Sequence, residues 1–164
     1  MKITDISGKE HSIDCIACAI QSGEIALPVE RITETENFVV EQDLEIPIEG
    51  FLIVVSKRHI FSVDELSDNE ITELSILLKK TRKAMRQSLG VSWITIVQEE
   101  NTATSHFHIW LFPWHKWMAK KWSGKLEEIK EIMKFSRKEM SGEEVLSRVK
   151  ESSVKVAESM KSKR

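Results

Sequence analysis

Two histidines at a spacing of two, His106 and His108, lie in the run Ser105-His-Phe-His-Ile-Trp-Leu-Phe-Pro113, which follows a polar approach, Gln98-Glu-Glu-Asn-Thr-Ala-Thr-Ser105. Imidazole titrates near neutral pH and offers a nitrogen lone pair, so such a pair suits nucleophilic catalysis, proton transfer or metal binding. On a strand, side chains alternate between faces. His106, His108, Trp110 and Phe112 then share one face, while Phe107, Ile109 and Leu111 form the ordinary core face. A core histidine satisfied by a hydrogen bond is the plainer alternative for either residue. A second candidate set starts from Cys15 and Cys18, whose Cys-x-x-Cys spacing brings two thiols onto one turn and supplies half of a tetrahedral Zn2+ site. His59, which follows a strand, and His106, which begins another, are the natural partners. The alternative for the thiols is a pair of small buried apolar residues.

Several elements must position these groups. Residues 1–14 show no clear pattern. A short helix opens at Cys15 and ends near Gly23. Strands are expected over 30–36, 37–41 and 50–55, with Asp43 to Gly50 as a loop, and their close spacing implies an antiparallel meander. Ser67-Asp-Asn-Glu70 has the form of a capping box. After it Ile71, Leu74, Leu78, Thr81, Met85 and Leu89 fall at steps of three and four, which predicts a helix over 68–89 closed by Gly90. The alternating, β-branched run Val91–Val97 is expected to pair with the histidine strand. Three of the five tryptophans, Trp114, Trp117 and Trp122, then fall within nine residues. Helical patterns follow at 125–133 and 143–149, as amphipathic surface helices, and the basic end Lys161-Ser-Lys-Arg164 is expected to fray. Aromatic rings at such a junction serve packing more often than stacking on a ligand base.

The 164 residues suffice for a core that needs no staples. A net charge of −2, with both signs interspersed, gives no global field for nucleic acid or an anionic membrane. No apolar run approaches the ~20 residues of a membrane-spanning helix, and the first residues lack the apolar stretch of a secretion signal. Two cysteines exclude a disulfide framework and favour a reducing, cytoplasmic setting.

Over roughly residues 13–113 this order resembles the histidine triad (HIT) superfamily, whose signature alternates three histidines with apolar residues. The resemblance runs through Cys15 and Cys18, Gly23-Glu-Ile25, Asn37-Phe38, Asp43, Ser56-Lys-Arg-His59, the helix over 68–89, and His106 to Pro113. It implies an α+β fold with an antiparallel sheet of about five strands, one long helix and a C-terminal helical extension. The division would be a nucleotide-binding domain over 1–115 and an extension over 116–164. It further implies a homodimer that binds a purine nucleotide and hydrolyses or transfers nucleoside monophosphates, as from diadenosine polyphosphates or AMP amides. No organic cofactor, membrane or sequence-specific nucleic-acid partner is expected. By the match, His108 is the nucleophile and His106 shapes the network behind it. Asp43 meets the ribose hydroxyls, Gln98 lies near the α-phosphate, and Asn101 or Ser105 supplies loop donors. Two departures stand out. Trp110 replaces the third histidine, and it can donate one N–H but cannot titrate. The loop from Gln98 to His106 is also about three residues short and lacks glycine. Two further readings therefore stand beside the enzyme: a nucleotide-binding or interaction module that has lost catalysis, and a domain stabilised by zinc on Cys15, Cys18, His59 and His106. Zinc and catalysis are compatible, because His108 stays free.

Overall fold

The computed structural model describes residues 1–100 and 106–162. A five-stranded antiparallel sheet organises it: β3 (Thr33–Glu34), β4 (Phe38–Gln42), β5 (Leu52–Ser56), β6 (Ile94–Gln98) and β7 (His108–Pro113), in the spatial order β3-β4-β5-β7-β6. The register aligns Glu41 with Ile53, Ile53 with Trp110 and Trp110 with Val97, so these four side chains form one row across one sheet face. Val39, Val55 and His108 form the next row. Because side chains alternate, Phe38, Val40, Leu52, Val54, Ile109 and Leu111 go to the opposite face. That face buries them against α2 (Asp68–Leu89).

The long helix begins and ends for the expected reasons. The Ser67 hydroxyl accepts from the Glu70 amide while the Glu70 carboxylate accepts from the Ser67 amide, and Gly90 closes the helix in the left-handed region at φ 62°. Its buried stripe differs in detail: Leu74, Leu77, Thr81, Ala84 and Met85 face the core, while Ile71 is exposed. Steps of three and four fit more than one stripe, and Leu77 with Ala84 completes the one that meets the sheet.

Other differences are larger. Residues 1–14 form a hairpin, β1 (Lys2–Thr4) with β2 (Glu10–Ser12), which strands of three residues left without a readable alternation. The strand expected over 30–36 shrinks to two residues. The histidine strand starts at His108, so His106 and Phe107 precede it. Beyond the sheet, α3 (Ile129–Glu139) follows a 3-10 turn at Leu126–Glu128, and α4 runs over Glu143–Lys161, far past residue 149. Neither is merely a surface helix. Val156 and Met160 of α4 join the core between sheet and α2. Ile129 and Ile132 of α3 pack with Phe51, Phe112, Met118 and Trp122 in a second core on the other face, with Trp114 and Trp117 at its edge. The clustered tryptophans therefore serve packing, as expected. No helix among the described residues is long and apolar enough to cross a membrane.

Candidate active site and metal centre

The short helix α1 (Ile16–Ser22) carries the thiols. Cys15 caps it, its sulfur accepting from the Cys18 amide at 3.5 Å, and Gly23 ends it at φ 81°. One helical turn thus delivers both sulfurs to the end of the sheet where β5 stops and β7 begins. There the ligand atoms of Cys15, Cys18, His59 and His106 all lie within 4.8 Å of one another. His106 is buried. Its Nε2 lies 2.7 Å from the Ser56 carbonyl, which can only accept, so Nε2 carries the proton and Nδ1 keeps its lone pair. That Nδ1 is 3.5 Å from each sulfur, and His59 Nδ1 is 3.1 Å from Cys18 Sγ.

These separations suit a shared cation. Tetrahedral zinc with Zn–S of about 2.3 Å and Zn–N of about 2.0 Å sets sulfur and nitrogen about 3.5 Å apart. Electrostatics agree. Burial, with the neighbouring imidazoles of His59 and His108, lowers the His106 pKa and keeps it neutral, as a ligand must be. Burial and the Cys15 thiol push the Cys18 thiol up to about 11, a bias against the thiolate that a coordinated cation reverses. The four residues singled out as a metal set therefore converge, and they can hold a metal ion.

His108 stands next along the sheet. Its Nδ1 lies 2.7 Å from the His106 carbonyl, again an obligatory acceptor, so the proton sits on Nδ1 and the Nε2 lone pair is free. Both His108 and Trp110 line a cavity of about 300 Å3 that continues over β5 to β4, where Glu41 and Asp43 line its far wall, and is flanked by Ile16 and Ile20 of α1. The Asp43 Oδ1 accepts from the amides of Glu45 and Ile46 at 2.9 and 2.8 Å, which pins the turn after β4. Burial nevertheless pushes its carboxyl up to about 6. Burial raises Glu41 as well, against the pull of the Arg31 guanidinium 2.8 Å away.

The remaining expected site residues are not all brought here. Gln98 pairs with Ile109 across the β6–β7 ladder, and its amide donates to Glu100 at 2.8 Å. It does not line the cavity. Asn101 and Ser105 lie outside the described residues. Among the residues that sequence reasoning passed over, Glu99, Met133 and Arg137 also line it. Glu99 is held by Lys130 at 2.8 Å and Arg137 by Glu45 at 3.3 Å, so α3 is tied across the open face from both sides. Lys130, Met133 and Arg137 follow a three-four spacing, a signal that was present in the sequence, although nothing in it named the surface that helix would meet. Trp110 sits between the two systems, 5.8 Å from the His108 ring and edge-on to Phe51 at 6.0 Å.

No protein-family profile matches the chain. Individual proteins do. An uncharacterised HIT-like protein of Methanocaldococcus jannaschii is 31% identical over 101 residues, 58% of this chain and 76% of the relative. The adenosine 5′-monophosphoramidase of Schizosaccharomyces pombe is 28% identical over 103 residues, 59% of this chain and 73% of the relative. Among solved structures, a hypothetical histidine triad nucleotide-binding protein from Sulfolobus tokodaii superposes with a TM-score of 0.64 at 18% identity, covering 89% of this chain and 91% of that one. A zinc-bound histidine triad family protein from Mycobacterium smegmatis gives 0.61 at 20% identity, covering 89% and 92%. The sheet order, the histidine strand and these likenesses agree, and the chain belongs to the histidine triad superfamily.

Proposed function

We propose that this protein is a nucleotidyl hydrolase or transferase that cleaves nucleoside 5′-phosphoanhydride or phosphoramidate bonds with His108 as nucleophile. The observation that supports it best is the 2.7 Å contact from His108 Nδ1 to the His106 carbonyl, which leaves a lone pair on Nε2 at the wall of a nucleotide-sized cavity. In this scheme Nε2 attacks the α-phosphorus, the bond to the leaving group breaks with its electron pair going to that group, and a phosphohistidine-like intermediate forms. Water or another acceptor then displaces the imidazole. In the same scheme Asp43, which lines the cavity, accepts from the ribose hydroxyls, and Trp110 flanks the phosphate without a proton to exchange. General acid help is worth ~10^2 to 10^4-fold, so turnover falls most for leaving groups that need a proton.

The same proposal assigns zinc to Cys15, Cys18, His59 and His106. Two thiolates and two neutral imidazoles close a tetrahedral shell with no position left for substrate, so the metal is structural. Bound there, it fixes the His106 ring, whose own carbonyl orients His108. Metal analysis of protein purified without chelator tests this, and a zinc content near zero would remove it. A reducing, cytoplasmic setting fits thiols kept as ligands. A homodimer fits the apolar edge at β6, where Ile96 and the preceding Trp93 stay 52% and 59% exposed.

A second reading follows from Trp110: a module that binds nucleotide without turning it over. Incubating the protein and His108→Ala with adenosine 5′-phosphoramidate and diadenosine polyphosphates decides between the two. AMP release abolished in the variant supports the enzyme; AMP binding without release in the native protein supports the module.

A further inference from the structure

The 300 Å3 cavity at His108 is not the only hollow on this sheet face. Beyond Trp110 lies a second of about 290 Å3, lined by Val97 and Glu99 of β6 and its end, Trp110 of β7, and Leu126, Ile129 and Lys130 of the extension. Trp110 and Glu99 belong to both. The sheet order makes their relation linear: the first hollow spans β4, β5 and β7, and the second spans β7 and β6. A ligand whose sugar meets Asp43 and whose phosphorus meets His108 has its next atoms over β6.

We propose that this second hollow, built by the C-terminal segment against β6, is a subsite for the leaving group, and that it selects an uncharged apolar chain or ring over a phosphate-rich one. The inference rests on the first hollow being the nucleotide site. Three observations support it. Leu126 is 59% exposed on a turn that packs no core, an apolar surface that a ligand ring would cover. The half-buried Val97 continues that surface, the buried Ile129 closes its floor, and the Trp110 indole offers a flat wall. The charges do not invite an anion: Lys130 is the one cation lining the hollow among the described residues, it is already held by Glu99 at 2.8 Å, and Glu127 lines the hollow as well. A phosphate would break that pair and face two carboxylates, whereas a neutral apolar group leaves it intact.

The test is binding to His108→Ala, which prevents turnover, measured by calorimetry with three probes: AMP, its plain phosphoramidate, and the phosphoramidate of phenethylamine. The ring-bearing amidate is expected to bind about tenfold tighter than the plain one, the scale of one partly buried ring. Adding Leu126→Glu should bring the two within about threefold; at an exposed position this change spares the fold. Diadenosine triphosphate should show no gain over AMP. If AMP does not bind at all, the nucleotide reading of the first hollow falls and the subsite falls with it. If AMP binds but the ring confers no gain, or Leu126→Glu leaves the gain intact, or the dinucleotide binds tightest, the subsite alone is overturned.

Discussion

Replacing Asp43 by asparagine should stabilise this protein at neutral pH, at the expense of its proposed ligand. The Asp43 carboxyl sits half-buried at the cavity wall, with burial pushing it from an ordinary 3.8 to about 6, against the amides of Glu45 and Ile46 that favour its charge. Below about pH 4 it is protonated folded and unfolded, and contributes no difference. Between about 4 and 6 the unfolded chain ionises while the folded one keeps its proton, so stability falls as pH rises; above 6 the loss is complete and flat. About two units at 1.4 kcal/mol each give about 3 kcal/mol, which partial exposure reduces to about 2. The carboxamide of the variant would still accept from both amides through its carbonyl oxygen, so the turn should survive.

Urea denaturation of both proteins at pH 4, 5, 6 and 7 measures the effect. Asp43→Asn should be more stable by about 2 kcal/mol at pH 7, with the gap closing to within about 0.5 kcal/mol at pH 4. Other carboxylates, Glu41 with its burial-raised pKa among them, are common to both proteins and cancel in the difference. A variant no more stable than the native protein at pH 7, or a gap that persists at pH 4, would refute the reasoning. The same variant should bind AMP about tenfold or more weakly, since a charged acceptor for the ribose hydroxyls is lost; unchanged binding would mean that Asp43 does not contact the sugar.

Three other perturbations have defined outcomes. If the proposed metal occupies the Cys15, Cys18, His59 and His106 cluster, chelating it removes a ligand of the folded state, worth about 2.7 kcal/mol at a free concentration a hundred times its dissociation constant, or roughly 5–10 °C in Tm for a chain of this size; calorimetry with and without chelator should show the drop, and none would mean an empty or unlinked site. Gly50→Ala places a Cβ 2.4 Å from Leu89 Cδ1 at a φ of 69°, and should lose about 2 kcal/mol in urea denaturation, against no loss if the turn before β5 relaxes freely. Trp110→His should cost about 1–3 kcal/mol by removing the edge contact to Phe51 and part of the second core, while raising turnover of amidates relative to anhydrides; equal stability would show that Trp110 does not pin the extension.

Local grammar made much of this molecule legible. The capping box at Ser67 and Glu70, the glycine that ends α2, the β-branched strands and the Cys-x-x-Cys turn each state their structure within a few residues. So did the metal set, because its members stand at element ends that the sheet must bring together. What stayed hidden depends on partners distant in sequence. The strands of the first hairpin are too short to show alternation. α4 reads as a modest surface helix until its packing buries Val149 and Val156, because a stripe with Ser152 and Ser153 inside it looks weakly apolar. Gln98 and Glu99 are neighbours of similar polarity, and only the register with β7 decides which of them turns to the cavity.

That register also changes the meaning of Trp110. In sequence it is a missing histidine, a loss of titrating capacity at the third position. In the fold the same position lies in the row Glu41, Ile53, Trp110, Val97, opposite the residues that α3 lays over the sheet. A histidine there would place a small polar ring where Phe51 on one side and the extension on the other present apolar surface. The indole fills that space and still leaves an edge toward His108. The absence of a third histidine and the covering of the sheet by the C-terminal segment therefore meet at one residue, because the side chain that closes one face of the second core is also the wall between the two hollows. A variant that removes the extension's grip without touching Trp110, such as Ile132→Ala in the fully buried heart of that core, should then loosen the wall as well; cavity formation there is worth about 2–4 kcal/mol. Fluorescence of the tryptophan cluster would report the loosening, and spectra unchanged at equal folded fraction would separate the wall from the core.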